Sequence, residues 1–412
     1  SEKGLMICCI WQIRRKTWNN RKGKRMSISR MVYTGTSYFG EYAREKIAEE
    51  VSKCHFRKAL LISDKALEAC GITGKIEEVL KKNGIPYTLF DEVKPNPTIE
   101  NVRAGLACYK NSGSDFILAV GGGSVIDTAK AVAVTANNPE NEDIVSLEGM
   151  DKSKNPAVPL IAVPTTAGTG SETTMDYVIT NTQEKRKMAC MDSKVVPAAA
   201  ILDTEIMASL PLSLTAATAM DALTHAVESY LSKGAFSFSE MLSLKAVSLI
   251  SENFIRVIKE PGNYEVRKEL AIAQYLAGMS FTNVGLGIVH SMAHPLSAFY
   301  DIPHGTANAL ILPYVLEFNA AACPEKIRQL AAAFDPSFDT SKSAEEAAAH
   351  CVEIIRSFLT ASGLPQHLSE LGVRESDFEA LAQSACEDAA TPDNPREADE
   401  NTIKQLYQSM YK

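Results

Sequence analysis

The stretch NVGLGIVHSMAHPLSAFYDIPHGTAN, residues 283–308, is the part of the chain around which the rest is predicted to be organised. It holds three of the seven histidines, His290, His294 and His304, within fifteen residues. His290 and His294 are four residues apart, which places both on one face of a helix. So many imidazoles in one short stretch favour a metal site, although the spacing does not choose between His290 and His294.

A second segment, MDALTHAVESY, adds a carboxylate and another imidazole on one helical face, because Asp221 and His225 are also four residues apart. Three imidazoles and one carboxylate suit a divalent transition ion such as Fe(II) or Zn(II), and they disfavour Ca²⁺ and Mg²⁺, which prefer oxygen ligands. The alternative is a set of helix-capping and core histidines. We predict one mononuclear metal site with these candidate catalytic residues: Asp221, His225, His290, His294 and His304.

Length and composition limit the class of protein. A chain of 412 residues is too long for one compact core and predicts two domains of ordinary size. Its 45% hydrophobic and 22% charged residues are typical of a soluble globular protein. The net charge of -8 argues against a nucleic-acid partner, and the apolar runs are too short to span a membrane. Nine scattered cysteines without a CxxC pair indicate reduced thiols and a cytoplasmic location.

The first 25 residues differ from the rest of the chain. They carry eight Lys or Arg against one acidic residue, whereas residues 26–412 hold 34 basic and 49 acidic residues. The short apolar patch LMICCIW is followed by RRK instead of small residues, which makes a poor signal peptide. We expect residues 1–25 to be a disordered extension.

From Met26 the chain alternates short apolar strands with helical stretches. This pattern implies right-handed crossovers and a mostly parallel sheet. A short strand near residues 31–34 is a candidate for pairing across a homodimer. Residues 176–180 and 188–191 are predicted to form a hairpin. The remaining strands are predicted at 59–63, 87–90, 115–120, 160–163 and 199–202, with helices at 75–84, 99–110 and 125–135.

After Asp203 the hydrophobic period changes from 2 to 3.6 residues, which predicts helices through to the C-terminus. The change predicts an α/β nucleotide-binding domain at residues 26–208 followed by an all-α metal-binding domain at residues 209–412. Helices are predicted at 213–232, 238–259, 265–281, 286–299, 305–320, 324–334, 343–361, 376–387 and 400–411.

The run Gly121, Gly122, Gly123 and Ser124 stands between a predicted strand and a predicted helix. Glycines let an anion approach the backbone N–H groups, and the positive end of the helix dipole adds to the attraction. We therefore predict that this run binds a pyrophosphate. The alternative is a simple tight turn, since the run is neither GxGxxG nor a P-loop.

Three other features fit a dinucleotide. Asp64, at the end of the first clear strand, could accept hydrogen bonds from both ribose hydroxyls and would repel a 2′-phosphate, which favours NAD over NADP. An Asp that caps the next helix is the alternative. The loop Pro164–Glu172, PTTAGTGSE, suits nicotinamide or ribose contacts, or is an ordinary Gly/Thr/Ser loop. Lys187 could bond a ribose hydroxyl, or is a solvated surface lysine.

The motifs FDEVKPNPT, GGGSVIDTAKA, PTTAGTGSE, DALTHAVESY and GLGIVHSMAHPLSAFYDIPHGTANA together resemble the iron-containing (group III) alcohol dehydrogenases. The resemblance runs from about Met31 to the C-terminus, and the order and spacing of five motifs make it specific. It implies the dehydroquinate synthase-like fold of that family. The phrases NVGLGIVHSMAHPL, SLEGM and NPREA resemble the members that act on lactaldehyde and 1,2-propanediol.

The resemblance also implies roles for single residues. Metal ligands would be Asp221, His225, His290 and His304, while His294 would lie beside the metal without being a ligand. The acid–base chemistry of an imidazole suits His294 to relay a proton to solvent. Phe281 would line the substrate pocket. Three departures lie near the implied site: Ser291 and Ser297 stand where the family has glycine, and Asp176 where an asparagine faces the substrate. Cofactor contacts would fall on Asp64, Asn96, Gly122, Ser124, Asp127, Thr165, Thr166, Thr169 and Lys187.

The predicted function is an NAD-dependent, Fe²⁺ alcohol dehydrogenase that interconverts lactaldehyde and 1,2-propanediol, with the ion and the dinucleotide meeting at one site. A broader primary-alcohol dehydrogenase, a 1,3-propanediol dehydrogenase and a zinc glycerol dehydrogenase are alternatives within the same fold. Zinc is an alternative ion because it binds such ligands at least as tightly as iron. A third interpretation is a binding protein that keeps nucleotide and metal without turnover. We expect a homodimer with a small-molecule substrate, without nucleic-acid or membrane partners.

Overall fold

A six-stranded parallel sheet forms the N-terminal part of the computed structural model, which describes residues 28–184 and 186–412. The strand order is β1-β9-β6-β4-β2-β3, which confirms the predicted parallel sheet. The prediction for residues 1–25 lies outside the described residues. The strands are β1 (Thr36–Gly40), β2 (Ala59–Ile62), β3 (Tyr87–Phe90), β4 (Phe116–Gly121), β5 (Gly149–Met150), β6 (Leu160–Pro164), β7 (Asp176–Asn181), β8 (Arg186–Met191) and β9 (Ala199–Asp203).

The central strands are almost continuously apolar because helices cover both faces of the sheet. Every residue of β2, β4 and β6 is buried. Leu118 of β4 stands between Leu61 of β2 and Ile161 of β6 in the ladder. All three side chains belong to one hydrophobic cluster, and the alternate residues of these strands belong to a second cluster. This stiff sheet fixes the carboxyl ends of its strands, where loops carry the candidate cofactor residues.

A second, smaller sheet has the order β5-β8-β7. Its β7 and β8 pair antiparallel from Asp176 opposite Met191 to Asn181 opposite Arg186, as the predicted hairpin requires. The predicted first strand at residues 31–34 is wrong, because these residues do not form a strand. The first strand lies at residues 36–40. Its sequence, TSYFG, is partly exposed on an edge strand and lacks the apolar run that marks the central strands.

Helices occupy most of the remaining chain. The N-terminal ones are α1 (Ile47–Lys53), α2 (Lys65–Ala69), α3 (Ile72–Lys82), α4 (Ile99–Ser112), α5 (Gly123–Ala136) and α6 (Thr204–Met207). The C-terminal ones are α7 (Leu212–Leu231), α8 (Ser237–Lys259), α9 (Tyr264–Val284), α10 (Ile288–Tyr300), α11 (His304–Ala320), α12 (Pro324–Phe334), α13 (Ala344–Ser362), α14 (Phe378–Cys386) and α15 (Glu400–Ser409). These bounds confirm the predicted succession of helices after residue 208.

The structure consists of two compact units. The sheet unit contains Val32–Ala222 and Arg256–Thr282, and the helical unit contains Leu223–Ile255 and Asn283–Lys412 together with residues 28–31. Residues 256–282 thus belong with the sheet, although their helical sequence gives no sign of this. The linear domain limits taken from composition, 26–208 and 209–412, remain a proposal.

Within residues 28–184 and 186–412, no single helix is long and apolar enough to cross a membrane. The helices Tyr264–Val284 and Ile288–Tyr300 reach the required length and apolar composition when they are taken together, but the chain bends by 100° between them.

Candidate metal centre and cofactor site

Three of the predicted ligands come together in the structure. Among the described residues, one group of potential metal ligands is found: Asp221, His290 and His304 offer ligand atoms that all lie within 4.8 Å of one another. Asp221 lies in the middle of α7, His290 near the start of α10 and His304 at the first residue of α11. Asp221 and His290 are buried, and His304 is partly buried. The prediction thus selects residues that do converge in space.

His225 lies one turn after Asp221 on α7 and packs against the same group. Its ring is stacked on that of His290, with centroids 4.6 Å apart and planes 21° from parallel. His225 is not a member of the group whose ligand atoms lie within 4.8 Å of one another. The structure therefore brings the fourth predicted ligand beside the centre, and its coordination of a metal stays a prediction.

Glu228, one turn beyond His225, fixes the orientation of His290. One carboxylate oxygen accepts the backbone N–H of Val289 at 2.6 Å, and the other lies 2.5 Å from Nδ1 of His290. Burial raises the pKa of Glu228 to about 8, and burial together with neighbouring histidines holds the pKa of His290 well below its usual value. A neutral His290 that is held at Nδ1 presents Nε2 as a lone-pair donor, as a metal ligand must.

Asn308 shows where the lone pairs of two histidines converge. Its amide nitrogen lies 3.1 Å from Nε2 of His290 and 3.1 Å from Nε2 of His304. An amide N–H donates, so both Nε2 atoms are hydrogen-bond acceptors and their lone pairs point into the same small region. The carboxylate of Asp221 faces that region too. Imidazole and carboxylate donors that converge in this way fit a divalent transition ion.

His294 differs from His290 although both lie on one face of α10. Its Nδ1 is 2.7 Å from Oδ2 of Asp388, and its side chain is 41% exposed. Burial alone would raise the pKa of Asp388, but the charge and hydrogen bond of His294 hold that pKa below its ordinary value. The ring of His294 is stacked on that of His304 with centroids 5.3 Å apart. The structure thus leaves His294 outside the ligand group, beside it and open to solvent.

The glycine run forms a close junction between β4 and α5. The backbone N–H of Thr165 donates to the carbonyl of Gly121 at 3.0 Å. A Cβ added to Gly123 would lie 2.9 Å from the side chain of Thr169, and one added to Gly122 would lie 3.5 Å from Thr166. None of the three glycines has a positive φ, and Gly121 and Gly123 are the two that leave no room for a Cβ. Residues 165–170 (TTAGTG), called the threonine loop below, therefore pack directly on the helix N-terminus, where an anion would be attracted.

The other predicted cofactor residues belong to the sheet unit, and Ser124 and Asp127 lie on α5 itself. The hydroxyl of Ser124 donates to the carbonyl of Pro95, next to the exposed Asn96. Asp127 is bonded within the protein through both carboxylate oxygens, to Ser171 and to the backbone of Val178. Burial raises the pKa of Asp127, while the charge of Lys187 is among those that lower it.

Asp64 follows β2 and caps the next helix. One of its carboxylate oxygens accepts the backbone N–H of Leu67 at 2.9 Å, which is the capping alternative considered from the sequence. A cap uses one oxygen and leaves the other for a further donor. The role of Asp64 in ribose binding therefore stays a prediction.

The three departures from the family pattern are bonded inside the protein. Ser297 donates to the carbonyl of Ile302 at 2.8 Å, and Ser291 lies 3.3 Å from Oδ1 of Asp388. Asp176 accepts the hydroxyl of Thr282 at 2.5 Å, and burial raises its pKa to about 6. Thr282 follows Phe281 on α9, and the role of Phe281 in substrate binding remains a prediction.

Sequence reasoning missed three residues that orient the centre. Glu228 and Asn308 could have been found, since each lies one helical turn beyond a histidine of the predicted site: Glu228 after His225 and Asn308 after His304. Asp388 is 94 residues from its partner, His294, and no spacing rule connects them.

Comparisons with known proteins agree with this geometry. The family model described as iron-containing alcohol dehydrogenase matches residues 34–204, and the model of the C-terminal part of the same family matches residues 215–411. Lactaldehyde reductase of Escherichia coli is 42% identical over 93% of this chain and 100% of its own length.

Two solved structures are also similar. That of a 1,3-propanediol oxidoreductase has a TM-score of 0.90 and 38% identity, and covers 93% of this chain and 100% of its own. The structure of sulfoacetaldehyde reductase from Bifidobacterium kashiwanohense, in complex with NAD+, has a TM-score of 0.85 and 25% identity and covers 93% and 99% of the two chains. The matched models extend over nearly all of the described residues, and the chain belongs to the iron-containing alcohol dehydrogenase family.

Proposed function

We propose that this protein interconverts lactaldehyde and 1,2-propanediol with NAD(H) as hydride carrier and Fe²⁺ as metal. The convergence of Asp221, His290 and His304 carries the proposal, since these donors suit a divalent transition ion. The 42% identity to a lactaldehyde reductase supports the substrate pair, and the NAD+ complex of a structural relative supports the coenzyme.

In the proposed reaction, the bound ion supplies Lewis acidity that polarises the substrate oxygen, and the nicotinamide supplies or accepts the hydride. The protein prepares for this through Glu228, which holds Nδ1 of His290 so that Nε2 is presented to the ion. His225 completes the proposed ligand set. Asp388 holds Nδ1 of His294 and leaves Nε2 of that partly exposed ring to exchange a proton with water.

The coenzyme half of the proposal rests on the sheet unit. The N-terminus of α5, with its Gly121–Gly123 turn, would bind the pyrophosphate. The second carboxylate oxygen of Asp64 would accept a ribose hydroxyl and repel a 2′-phosphate, which favours NAD over NADP. Further contacts would come from Asn96, Ser124, Asp127, Thr165, Thr166, Thr169 and Lys187.

A 1,3-propanediol or broader primary-alcohol dehydrogenase is the second candidate, because a 1,3-propanediol oxidoreductase has nearly the same fold at 38% identity. Zn²⁺ is the alternative ion, since it binds such ligands at least as tightly as Fe²⁺. We also propose a cytoplasmic homodimer, and the seven described cysteines, all of which are free thiols in the structure, support a reducing compartment.

A substrate panel tests the proposal. Enzyme loaded anaerobically with Fe²⁺ is assayed for NADH oxidation with lactaldehyde, glycolaldehyde, propionaldehyde and butyraldehyde. We expect the highest kcat/KM with lactaldehyde. Equal or higher values with the unbranched aldehydes would favour the second candidate, and no turnover with any aldehyde would favour a binding protein.

A matched pair of histidine variants tests the centre itself. His304→Ala should lose bound metal and activity together, because it removes one of the converging donors. His350→Ala is the control, since His350 lies in the same unit but is bonded to Asp335. Full turnover by a metal-free His304→Ala enzyme would refute the proposed centre.

A further inference from the structure

Lys130 is a fully buried lysine on α5, and its contacts lie outside that helix. Its Nζ donates to Oγ of Ser171 at 3.2 Å, to Oγ1 of Thr174 at 2.9 Å and to the backbone carbonyl of Asp176 at 2.7 Å. An ammonium has three N–H donors, so its hydrogen-bonding capacity is used up by these three acceptors. All three belong to the segment 171–176, which connects the threonine loop to β7.

Asp127, one turn earlier on the same helix, binds the same segment with the opposite charge. Its Oδ1 accepts the hydroxyl of Ser171 at 2.5 Å, and its Oδ2 accepts the backbone N–H of Val178 at 2.9 Å. Ser171 therefore donates to Asp127 and accepts from Lys130. Lys130 and Asp127 of α5 thus both hydrogen-bond to the residues that follow the threonine loop.

The threonine loop is held to α5 at a second place as well. Thr169 packs against Gly123, at a distance that leaves no room for a Cβ, and Thr166 packs over Gly122. The hydroxyls of the loop and the glycine turn thus form one surface at the start of α5. Residues 171–176 follow Gly170 directly along the chain. The path of these residues therefore affects where the threonine loop lies relative to α5.

We propose that Lys130 is a positioning residue for the coenzyme: it holds residues 171–176 against α5, so that the threonine hydroxyls stay beside the glycine turn and NAD(H) binds tightly. Lys130 itself does not touch the coenzyme in this proposal. The inference rests on the proposed NAD(H) function and adds to it the group that fixes the shape of the coenzyme site.

The electrostatics of the buried ammonium give the inference a distinct signature. Burial lowers the pKa of Lys130 to about 8, and the charges of Asp127, Asp176 and Glu172 oppose that shift. These three carboxyls face the ammonium from its own helix, from β7 and from the connecting segment. The ammonium is therefore charged at pH 7 and loses its proton, and one of its three donors, as the pH rises through about 8. NAD(H) affinity should weaken over the same range.

Lys130→Met tests the inference, since methionine has a similar length but cannot donate. The dissociation constant of NADH is measured by nicotinamide fluorescence on the wild-type and variant proteins at pH 7 and pH 9. We expect the dissociation constant of NADH to rise about tenfold in the variant at pH 7, because coenzyme binding must then order residues 171–176, which the bonds of the ammonium already hold in the wild type. The decline between pH 7 and pH 9 should be larger in the wild type than in the variant, in which only the carboxyls of this segment still titrate. Amide hydrogen exchange should become faster at residues 171–178.

Thr174→Val keeps the inference testable if Lys130→Met does not fold. It removes one acceptor of Lys130, whereas Thr135→Val removes a buried hydroxyl that bonds only within α5. We expect weaker NADH binding for Thr174→Val alone.

The outcomes separate the inference from the proposed function. Absence of NADH binding by the wild-type protein would refute the proposed function. Normal binding by the wild type together with unchanged affinity in Lys130→Met and Thr174→Val would overturn the positioning role. Faster hydrogen exchange without a loss of affinity, or the same pH dependence in wild type and Lys130→Met, would overturn it as well.

Discussion

At the scale of single residues, the candidate metal centre depends on groups that hold the histidines rather than on the histidines alone. Glu228 is bonded to His290 and to the backbone at the start of α10, so one buried carboxylate fixes both the ring and the helix that carries it. Asp388 does the same for the ring of His294. The two histidines on this helical face therefore differ in partner and in burial, and the role of His290 as a ligand stays a prediction.

We expect Glu228→Gln to weaken metal binding by about 10- to 100-fold, as is usual when the partner of a ligating histidine is changed. Glutamine keeps the shape of the side chain, but its amide oxygen is a weaker acceptor for the Nδ1–H of His290 than the carboxylate that a nearby bound cation would favour in Glu228. Metal affinity is measured by competition with a chelator. Glu325→Gln, at an exposed carboxylate on α12, is the control. Wild-type affinity in Glu228→Gln would show that the carboxylate does not tune the ligand.

A pH-dependent prediction concerns Glu172, which is buried in the sheet unit beside Gln274. Burial raises its pKa from 4.5 to about 7. Because the pKa of Glu172 is higher in the folded than in the unfolded protein, the neutral carboxyl group favours the folded state. This contribution to the free energy of unfolding is fully present below pH 4.5 and is lost as the pH rises through about 7. The stability of wild type relative to Glu172→Gln should therefore fall over this range, by up to about 3 kcal/mol. Urea unfolding at pH 5 and pH 8 measures the difference, and a constant difference would contradict the pKa shift.

Residue types and their density in the sequence pointed to the residues of the candidate centre, whereas distant partners left no signal in the sequence. The group with converging ligand atoms contains Asp221, His290 and His304, three of the five residues named from residue type and spacing, and their role as metal ligands stays a prediction. Spacing could not separate His290 from His294, because they differ in partners on other parts of the chain, and Asp388 is 94 residues away from His294. Contacts of that kind follow from tertiary packing and leave no periodic pattern.

At the scale of elements, the junction of β4 and α5 is the most sterically constrained part of the candidate cofactor site. Thr169 and Thr166 lie against Gly123 and Gly122, so the loop and the helix N-terminus are held within van der Waals contact. A larger residue here would separate the loop from the helix even though it would favour the helix itself.

Gly123→Ala should therefore weaken NADH binding and cost about 1–3 kcal/mol of stability, as is usual for overpacking. Its Cβ would lie 2.9 Å from the side chain of Thr169. Gly74→Ala in α3 is the matched control, because no atom lies within 4 Å of the added Cβ. The control should bind NADH normally and gain about 0.5–1 kcal/mol. Equal behaviour of the two variants in NADH titration and urea unfolding would argue against a tight junction.

The elements themselves were predictable to different degrees. Strands β2, β4 and β6 were found because burial on both faces makes them apolar throughout. Strand β1 was misplaced because its TSYFG sequence is only partly buried. Helix α1 was missed altogether, since IAEEVSK is a short segment with few apolar residues.

At the scale of the whole molecule, the two candidate sites fall mainly into different compact units. The glycine turn and the threonine loop belong to the sheet unit, whereas His225, His290, His294 and His304 belong to the helical unit. The change of hydrophobic period correctly predicted an α/β part followed by a helical part. It could not predict that residues 256–282 belong with the sheet, because they are helical like their neighbours.

This division predicts separate effects of the two ligands. Saturation with Fe²⁺ or Zn²⁺ at one hundred times its dissociation constant should stabilise the protein by about 2.7 kcal/mol, and removal of metal by a chelator should reverse this. Hydrogen exchange should slow most in α10 and α11 with metal, and most in α5 and the threonine loop with NADH. The same protection pattern for both ligands would contradict the assignment of the two sites.

The pairing of the first strand with the last has a consequence for biosynthesis. Strand β1 pairs with β9, with Thr36 opposite Ala199. A ribosome that adds roughly 5–20 residues per second needs on the order of 10 to 30 s to make the chain between these partners. Until β9 is made, strand β1 lacks its pairing partner, and its backbone N–H and C=O groups are open to other chains. A chaperone or a second nascent chain on the same messenger RNA would bind the polypeptide during this interval.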